Sequence, residues 1–311
     1  MKAAQIKQFG HADAVEIVDI QPPVIQPGMV LVEVKAASLN PIDTAVREGY
    51  TQSWAPVELP VTLGGDIAGI VSEIGDGVTG FQVGDKVYGQ ASALGGGSGA
   101  LAEYALTKPE QLGLLPENID FNEAASLPLV GVSALQGLKT HINLQPDQKI
   151  LITGGTGGIG TAAIQIAKNL GAHVVTTVGT QAVDYAKQLG ADEVIDYATQ
   201  EVGTDQEFDA VFDTVGGETF QKALAMVKKG GTAVTMAGQS DEAKSQELGI
   251  TIIGQMTHVN TAALDELSAL ITSKSVTPHV ASTFTLDQAK EAFQARENES
   301  IIGKVVVSIK D

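Results

Sequence analysis

The sequence of 311 residues contains no cysteine. A chain without thiols cannot form disulfides, cannot carry a thiolate nucleophile and cannot build a cysteine-based zinc site. This absence is typical of a reducing compartment, and we expect a cytoplasmic protein. We also expect no metal site, because none of the histidines has the spacing of a ligand pair: His11, His141, His173, His258 and His279.

Positive charge is scarce as well. The chain has 19 lysines and arginines, of which two are arginines, against 37 acidic residues, so its net charge is −18. Such a surface repels nucleic acid and anionic lipid, and we expect neither as a partner. A phosphate-bearing cofactor would therefore have to be held by local groups.

Long apolar runs are missing too. No run approaches the ~20 apolar residues of a membrane-spanning helix, and the first residues, Met1-Lys2-Ala3-Ala4-Gln5-Ile6, lack the apolar core of a signal peptide. We therefore expect a soluble protein that does not enter a membrane.

The most informative stretch comprises residues 149–171. Residues 150–153 form a short apolar, β-branched run, which predicts a buried strand, and apolar residues at helical spacing follow after a cluster of glycines. The spacing G-x-G-x-x-G between them is typical of a dinucleotide site, where the first glycine makes the turn, the second admits the pyrophosphate and the third packs helix on strand. The helix N-terminus would present free N–H groups to the phosphates. The predicted contacts are Gly155, Thr156, Gly157, Gly158, Ile159 and Gly160.

Two patterns divide the chain. Residues 1–121 contain short strand-like runs between glycine turns, which indicates a small β-barrel. From residue 122 strands and helices alternate, which indicates a parallel sheet covered on both faces. There Asn122 is predicted to be an N-cap, before a helix that Pro128 interrupts or ends. We expect an α/β protein with a barrel domain of residues 1–121 and 276–311 and a dinucleotide-binding domain of residues 122–275.

The cofactor is predicted from a missing carboxylate. An NAD site has an acidic residue after the second strand, about 20 residues beyond the glycines. The first acid after that strand here is Asp184, inside the next helix. The absence removes repulsion of a 2′-phosphate and favours NADPH, although Lys187 could equally be a solvated helix charge. The residues predicted to contact this end of the cofactor are Thr177, Gly179, Thr180, Lys187 and Tyr197.

Two further loops follow predicted strands of the same sheet. Ligands of such sheets bind at the carboxyl ends of the strands. We therefore expect these loops to line the nicotinamide: Thr214, Val215 and Gly216 in one, Ala237 and Gly238 in the other.

Several motifs together resemble one family. They are Asn40-Pro41-Ile42-Asp43, residues 63–69, residues 83–89, residues 212–217 and Gly303-Lys304. Over essentially its whole length the chain resembles zinc-independent medium-chain dehydrogenases/reductases of the quinone and enone oxidoreductase type.

The resemblance implies a GroES-like β-barrel domain, a Rossmann domain and an active site in the cleft between them. It also implies NADPH as cofactor, commonly a homodimer, and contact of Gly303 and Lys304 with the cofactor. Zinc-dependent members of the superfamily carry a cysteine near Asn40 and a histidine near Gly65, and this chain has neither.

The sequence departs from the family pattern at two places. Enone-reducing relatives often have a lysine where Ala45 stands, and Arg47 follows two residues later. They also often have a basic residue against the 2′-phosphate, where this chain has Gln181-Ala182.

The implied reaction moves a hydride from NADPH to a quinone or an α,β-unsaturated carbonyl, without a metal. Asn40 is the first candidate donor to the substrate oxygen, because the matching family position lies at the nicotinamide, and Tyr50 is the second. Asn40 could instead form a turn before Pro41, and Tyr50 could pack on the barrel. Asp43 and Asp66 resemble structural acceptors of the family rather than an acid–base pair. The alternative function is a non-catalytic NADPH-binding redox sensor or structural protein on the same fold.

Overall fold

The computed structural model of the chain describes residues 1–200 and 207–309. It forms two compact units. The barrel unit comprises Met1–Leu129, Val259–Thr272 and the chain from Pro278 onward, and the sheet unit comprises Val130–His258 and Ser273–Thr277. The domain boundaries expected after residues 121 and 275 stay a prediction.

Strands and helices alternate regularly only in the middle of the chain. The strands are β1 (Lys2–Ile6), β2 (Glu16–Asp19), β3 (Val30–Ser38), β4 (Val61–Thr62), β5 (Asp66–Ile74), β6 (Lys86–Gln90), β7 (Tyr104–Thr107), β8 (Leu112–Leu114), β9 (Lys149–Thr153), β10 (His173–Val178), β11 (Glu193–Asp196), β12 (Phe208–Asp213), β13 (Val227–Thr235), β14 (Thr251–Gly254), β15 (Val280–Thr285) and β16 (Lys304–Ser308). The α-helices are α1 (Pro41–Glu48), α2 (Phe121–Ala125), α3 (Pro128–Leu135), α4 (Gly158–Asn169), α5 (Val183–Gln188), α6 (Gly217–Leu224), α7 (Glu242–Leu248), α8 (Thr261–Thr272) and α9 (Ala289–Asn298). Within the described residues no helix combines the length and the apolar character needed to cross a bilayer.

The barrel unit is built on short, mostly antiparallel strands, as the glycine-punctuated sequence predicts. One sheet has the order β2-β1-β4, and the other has the order β15-β16-β3-β5-β6-β8, with β7 also paired to β3. Only β15 and β16 run parallel among these pairs. The buried side chains of β1, β3, β5 and β16 form the core with Phe293 of α9. The returning C-terminal segment therefore completes this unit.

The sheet unit contains one parallel sheet of six strands in the order β11-β10-β9-β12-β13-β14. Numbered from its first strand, this is the doubly wound order 3-2-1-4-5-6, whose chain direction across the sheet switches between β9 and β12. The three central strands β10, β9 and β12 are largely buried, as expected for a sheet that is covered on both faces. Ligands of such sheets bind outside the carboxyl ends of the strands, at the switch point.

The start of α2 differs from the sequence expectation. Asp120, rather than Asn122, is the N-cap: its carboxylate accepts the N–H of Glu123 at 2.8 Å, and the Glu123 carboxylate accepts the N–H of Asp120 at 2.9 Å. This reciprocal pair is a capping box, which is more favourable than a single cap two residues later. Pro128 begins α3 rather than only ending a helix, because the first helical residue has no use for an N–H.

Candidate functional site

The glycine turn joins β9 to α4 in the sheet unit. Gly154 has a φ of +67°, so the left-handed residue of the turn lies just before the G-x-G-x-x-G spacing. A methyl group at Gly155 would overlap the hydroxyl of Thr176 on β10, and one at Gly160 would overlap the carbonyl oxygen of Gly154. Gly155 and Gly160 are thus required by the packing of strand, turn and helix.

Gly157 is different, because the fold leaves space beside it. The nearest atom to a methyl group at this position would be the carbonyl oxygen of Gly154 at 3.5 Å, an ordinary contact. Gly157 is also the N-cap of α4, a helix of 12 residues whose first N–H groups have no partner within the helix. Open space at a helix N-terminus fits a pyrophosphate, so the residues present fit a dinucleotide.

A buried carboxylate that the sequence did not single out lies at the end of β12. Asp213 has no exposed surface, and it accepts the hydroxyl of Thr153 at 2.6 Å and that of Thr235 at 2.7 Å. It also accepts the backbone N–H of Gly216 at 3.0 Å. Thr153 ends β9 and Thr235 ends β13, so one side chain ties together three neighbouring strand ends. Two threonines and one aspartate at the ends of adjacent strands were the available sequence signal.

The same network holds both loops that were predicted to line the nicotinamide. The hydroxyl of Thr214 donates to the carbonyl of Thr153 at 2.8 Å, and the N–H of Ala237 donates to the hydroxyl of Thr235 at 3.1 Å. The two loops touch, since a methyl group at Gly216 would come within 2.7 Å of the Ala237 Cβ atom. Val215 is half exposed. A pocket of about 220 Å³ opens beside the loops, lined among others by Gly216, Ala237, Gly238, Phe220 and Ile252.

At the end of β10 the structure supplies a carboxylate that the sequence prediction lacked. Asp196, the last residue of β11, accepts the hydroxyl of Thr180 at 2.7 Å. The second strand itself is followed by no acid before Asp184, as the sequence shows, and the carboxylate at this corner comes from the neighbouring strand β11. Tyr197 lies on the same corner, with its hydroxyl 3.1 Å from where a Cβ atom at Gly179 would be.

The other two residues predicted to contact this end of the cofactor, Thr177 and Lys187, differ in their exposure to solvent. Thr177 is buried, and its hydroxyl accepts the N–H of Gly154 at 3.3 Å, so it supports the glycine turn from β10. Lys187 is exposed on α5. Their contact with a cofactor stays a prediction.

In the barrel unit, Asn40 belongs to a buried polar cluster. Its amide nitrogen donates to Asp66 at 2.8 Å, and its amide oxygen accepts the ammonium of Lys304. Asp66 also accepts the amide of Gln90 at 2.9 Å and the backbone N–H of Leu129 at 3.2 Å. Asn40 is 1% exposed, so its side chain is oriented by these contacts.

The backbone explains why Asn40 points into this cluster. It is the extended residue before α1, and Pro41 at the first helical position fixes where the helix begins. The carboxylate of Asp43 accepts the backbone N–H of Asn40 at 2.7 Å, which leaves the Asn40 side chain available for Asp66.

Burial shifts the titration of the charged members of the cluster. It raises the pKa of the Asp43 carboxyl to about 7 and lowers the pKa of the Lys304 ammonium to about 8. It also raises the pKa of Asp66, against the opposing effects of Lys304, Asn40 and Gln90. The Lys304 ammonium lies 4.0 Å from the Asp66 carboxylate.

Three further residues from the sequence prediction lie in the barrel unit, and their contact with cofactor or substrate stays a prediction. Lys304 donates to the carbonyl of Leu39 at 2.8 Å as well as to Asn40, so its ammonium is used within this unit. Gly303, with a φ of +91°, packs against His279. Tyr50 is 70% exposed after the end of α1, and the Glu48 carboxylate raises the pKa of its phenol, which keeps the hydroxyl a donor.

Arg47 is not a free cation that could replace the lysine missing at position 45. It has no exposed surface, and it donates to Glu297 at 2.7 Å, to Glu48 at 2.6 Å and to the carbonyl of Gly10 at 3.1 Å. Its guanidinium also lies 5.1 Å from the centre of the Phe293 ring. In the part of the chain that the structure describes, no three histidine or acidic side chains form a group that could hold a metal ion.

Substitutions at Gly160 and Gly157 should separate an effect on stability from an effect on cofactor binding. Gly160→Ala should lower the midpoint of thermal unfolding, because its methyl group would meet backbone atoms that cannot move aside. Gly157→Ala should keep that midpoint to within about 2 °C but weaken NADPH binding about tenfold or more, because its methyl group occupies the space left for the pyrophosphate. Thermal unfolding and fluorescence titration with NADPH measure the two effects. Equal NADPH affinity of Gly157→Ala and wild type would contradict the assignment of this space.

The Asp43 carboxyl predicts a pH-dependent stability. Its pKa of about 7 lies above the unfolded value, so the folded state binds the extra proton and loses stability as pH rises from about 4 to 7. Asp43→Asn cannot titrate, so its stability relative to wild type should increase between pH 5 and 7.5, on the order of 2 kcal/mol. Urea unfolding at both pH values measures this.

The control for that experiment is Asp13→Asn. Lys290 holds the pKa of the exposed Asp13 below its usual value, so this group is already ionised at pH 5 and the variant should show no such trend. A difference between Asp43→Asn and wild type that is the same at both pH values would show that Asp43 does not retain a proton.

Two family models match the chain. The alcohol dehydrogenase GroES-like domain matches residues 26–117, and the model described as zinc-binding dehydrogenase matches residues 189–307. A 2-methylene-furan-3-one reductase from Solanum lycopersicum is 35% identical over 99% of this chain and 79% of its own length. A chloroplastic NADPH-dependent alkenal/one oxidoreductase from Arabidopsis thaliana is 34% identical with the same coverage.

A solved structure is similar over the whole chain. The quinone oxidoreductase from Escherichia coli, in complex with NADPH, superposes with a TM-score of 0.89 at 26% identity, over 99% of this chain and 100% of that one. The predicted fold class, a GroES-like β-barrel domain plus a Rossmann domain, is confirmed. The chain belongs to the medium-chain dehydrogenase/reductase superfamily, in the group of quinone and enone oxidoreductases.

Proposed function

We propose that this protein is an NADPH-dependent oxidoreductase that reduces a quinone or an α,β-unsaturated carbonyl without a metal. The observation that carries the proposal is the glycine turn, in which Gly155 and Gly160 are closely packed whereas Gly157 leaves space at the N-terminus of α4. The names of the relatives, which include an NADPH-dependent alkenal/one oxidoreductase and a quinone oxidoreductase bound to NADPH, support the cofactor and the substrate class.

The residues proposed to bind NADPH are those at the carboxyl ends of the parallel strands. When bound, NADPH supplies a hydride, and the substrate takes up one hydride and one proton in all. Gly157 and the first N–H groups of α4 would bind the pyrophosphate, and the loops at Thr214 and Ala237 would orient the nicotinamide. The Asp213 network fixes both loops before binding, which reduces the cost of ordering them.

Negative charge develops on the substrate oxygen as the hydride arrives, and a hydrogen-bond donor aimed at that oxygen lowers the barrier. We propose Asn40 for this role. An amide nitrogen has two hydrogens, and Asp66 takes one of them. Lys304 at the amide oxygen polarises the group and makes the remaining N–H a better donor. Tyr50, an exposed phenol whose hydrogen bonds to the Glu48 carboxylate, is proposed as a second donor or as a wall for the substrate.

Two further properties are proposed from the family resemblance and the composition. We propose a homodimer that resides in the cytoplasm and binds a small molecule rather than a nucleic acid or a membrane.

Turnover tests the proposed function. Oxidation of NADPH, followed by its absorbance, should accelerate on addition of a benzoquinone or an open-chain enone, and dialysis against a metal chelator should leave the rate unchanged. A saturated aldehyde, which lacks the electron-poor conjugated carbon, is the control substrate. Tight NADPH binding without turnover of any substrate would instead support the non-catalytic redox sensor.

Asn40→Ala should lower kcat by about 10²-fold while KM for NADPH changes little, as expected when one donor to a developing oxyanion is lost. Gln90→Ala is the matched control, because it removes another amide that donates to Asp66 but not the proposed catalytic donor. It should change kcat by less than about threefold. Equal losses in the two variants would assign Asn40 to the support of Asp66 alone.

A further inference from the structure

The corner where β10 and β11 end contains a negative charge that pairs with no cation among the described residues. The two strands are parallel, and Asp196 stands in register with Val178, the last residue of β10. One carboxylate oxygen of Asp196 accepts the hydroxyl of Thr180 at 2.7 Å, and the other accepts the N–H of Ala198 at 3.0 Å. Both bonds stabilise the ionised form, and the Thr180 hydroxyl holds the pKa of Asp196 below its usual range. Among the described residues no lysine, arginine or histidine pairs with it.

The bond to Asp196 also determines what Thr180 can offer a ligand. A threonine hydroxyl has a single hydrogen, which Thr180 gives to Asp196. Thr180 therefore presents only lone pairs at this corner, as does the carboxylate beside it. Two adjacent groups that can only accept hydrogen bonds suit a ligand that brings its own donor.

This corner of the sheet would contact the adenosine ribose, which is the part of the molecule where NADH and NADPH differ. In dinucleotide-binding sheets of this strand order, the adenosine ribose binds at the end of the second strand, which is β10 here. The 2′-hydroxyl of NADH can donate to a carboxylate, whereas the 2′-phosphate of NADPH carries about −1.5 to −2 charges and would be repelled.

We propose that Asp196 is a specificity-determining residue that accepts the ribose hydroxyl of NADH and weakens NADPH, so that the protein uses both cofactors. This inference rests on the proposed function, because it requires a nicotinamide dinucleotide at the glycine turn. Its geometric basis is that Asp196 and Tyr197 both converge on Gly179 and Thr180, although neither belongs to β10.

Asp196→Asn tests the proposal with little change in shape. It removes the charge, and the new amide can donate to Thr180, whose hydrogen is then free for a phosphate oxygen. Dissociation constants for NADPH and NADH, from the change in nicotinamide fluorescence on binding, give the preference without any turnover. Asp196 is 9% exposed. We expect the ratio of NADH to NADPH dissociation constants to rise about tenfold, as for loss of one like charge a few ångström from the phosphate. Calorimetric titration with NADP⁺ and NAD⁺ should show the same shift.

Two variants control for charge in general. Asp184→Asn removes one negative charge from the exposed surface of α5, the helix that follows β10, and should change the ratio by less than about twofold. Asp196→Glu keeps the charge and should retain a ratio close to that of wild type. Asp196→Ser is a second neutral variant if Asp196→Asn does not fold, as judged by thermal unfolding.

The outcomes separate the two hypotheses. If wild type binds both cofactors and neither neutral variant changes the ratio, Asp196 does not determine specificity, while the proposed function is unaffected. A ratio that moves equally in Asp184→Asn would also overturn the role of Asp196. If wild type binds neither cofactor, the proposed function itself is wrong.

Discussion

The carboxylate of Asp213 is the interaction on which the candidate cofactor edge depends. A buried carboxylate is stable only when donors surround it, and this one is satisfied by hydroxyls from both neighbouring strands and by the turn that follows its own strand. Those donors fix the ends of β9, β12 and β13 relative to one another. The loops at Thr214 and Ala237 then leave the sheet in defined directions, because each is bonded to a threonine of the same network. Loss of this carboxylate would thus affect three strand ends at once.

The barrel unit also buries carboxyl groups, but two of them lie in one cluster with a single lysine. Asp43, Asp66 and Lys304 are all buried, and one ammonium can neutralise only one carboxylate. Burial is the main cause of the raised pKa of Asp43, about 7, and the nearby charge of Asp66 adds to it, against the opposing effects of the Asn40 N–H, Lys304 and Arg296. Asn40 lies between Asp66 and Lys304 and bonds to both, so its orientation depends on the charge balance of the cluster.

The sequence predicted those features that depend on neighbours along the chain. The glycine spacing before an apolar helix indicated the turn, and alternating strands and helices indicated the parallel sheet. It failed where two distant segments meet. Asp196 follows Thr180 by 16 residues and was not linked to it, because only the pairing of β10 with β11 brings them together. The contact of Lys304 with the cofactor stays a prediction, but its hydrogen bond to the amide oxygen of Asn40, 264 residues earlier in the chain, was not predicted. In the sequence Asp213 is simply an acid at the end of a strand, because its two threonine donors lie on neighbouring strands that are distant along the chain.

The packing at the glycine turn also limits what the glycine motif reveals about whether an ancestral protein bound a dinucleotide. A side chain at position 155 would overlap Thr176, and one at position 160 would overlap the backbone of Gly154. Both positions therefore require glycine whether or not a dinucleotide binds. A descendant that lost its cofactor would still be selected for glycine at these two positions, since a larger residue would disrupt the strand, turn and helix. Only position 157 would be released from selection and could drift. Among the three glycines of the spacing, position 157 is therefore the one at which loss of a bound dinucleotide would first allow a larger side chain.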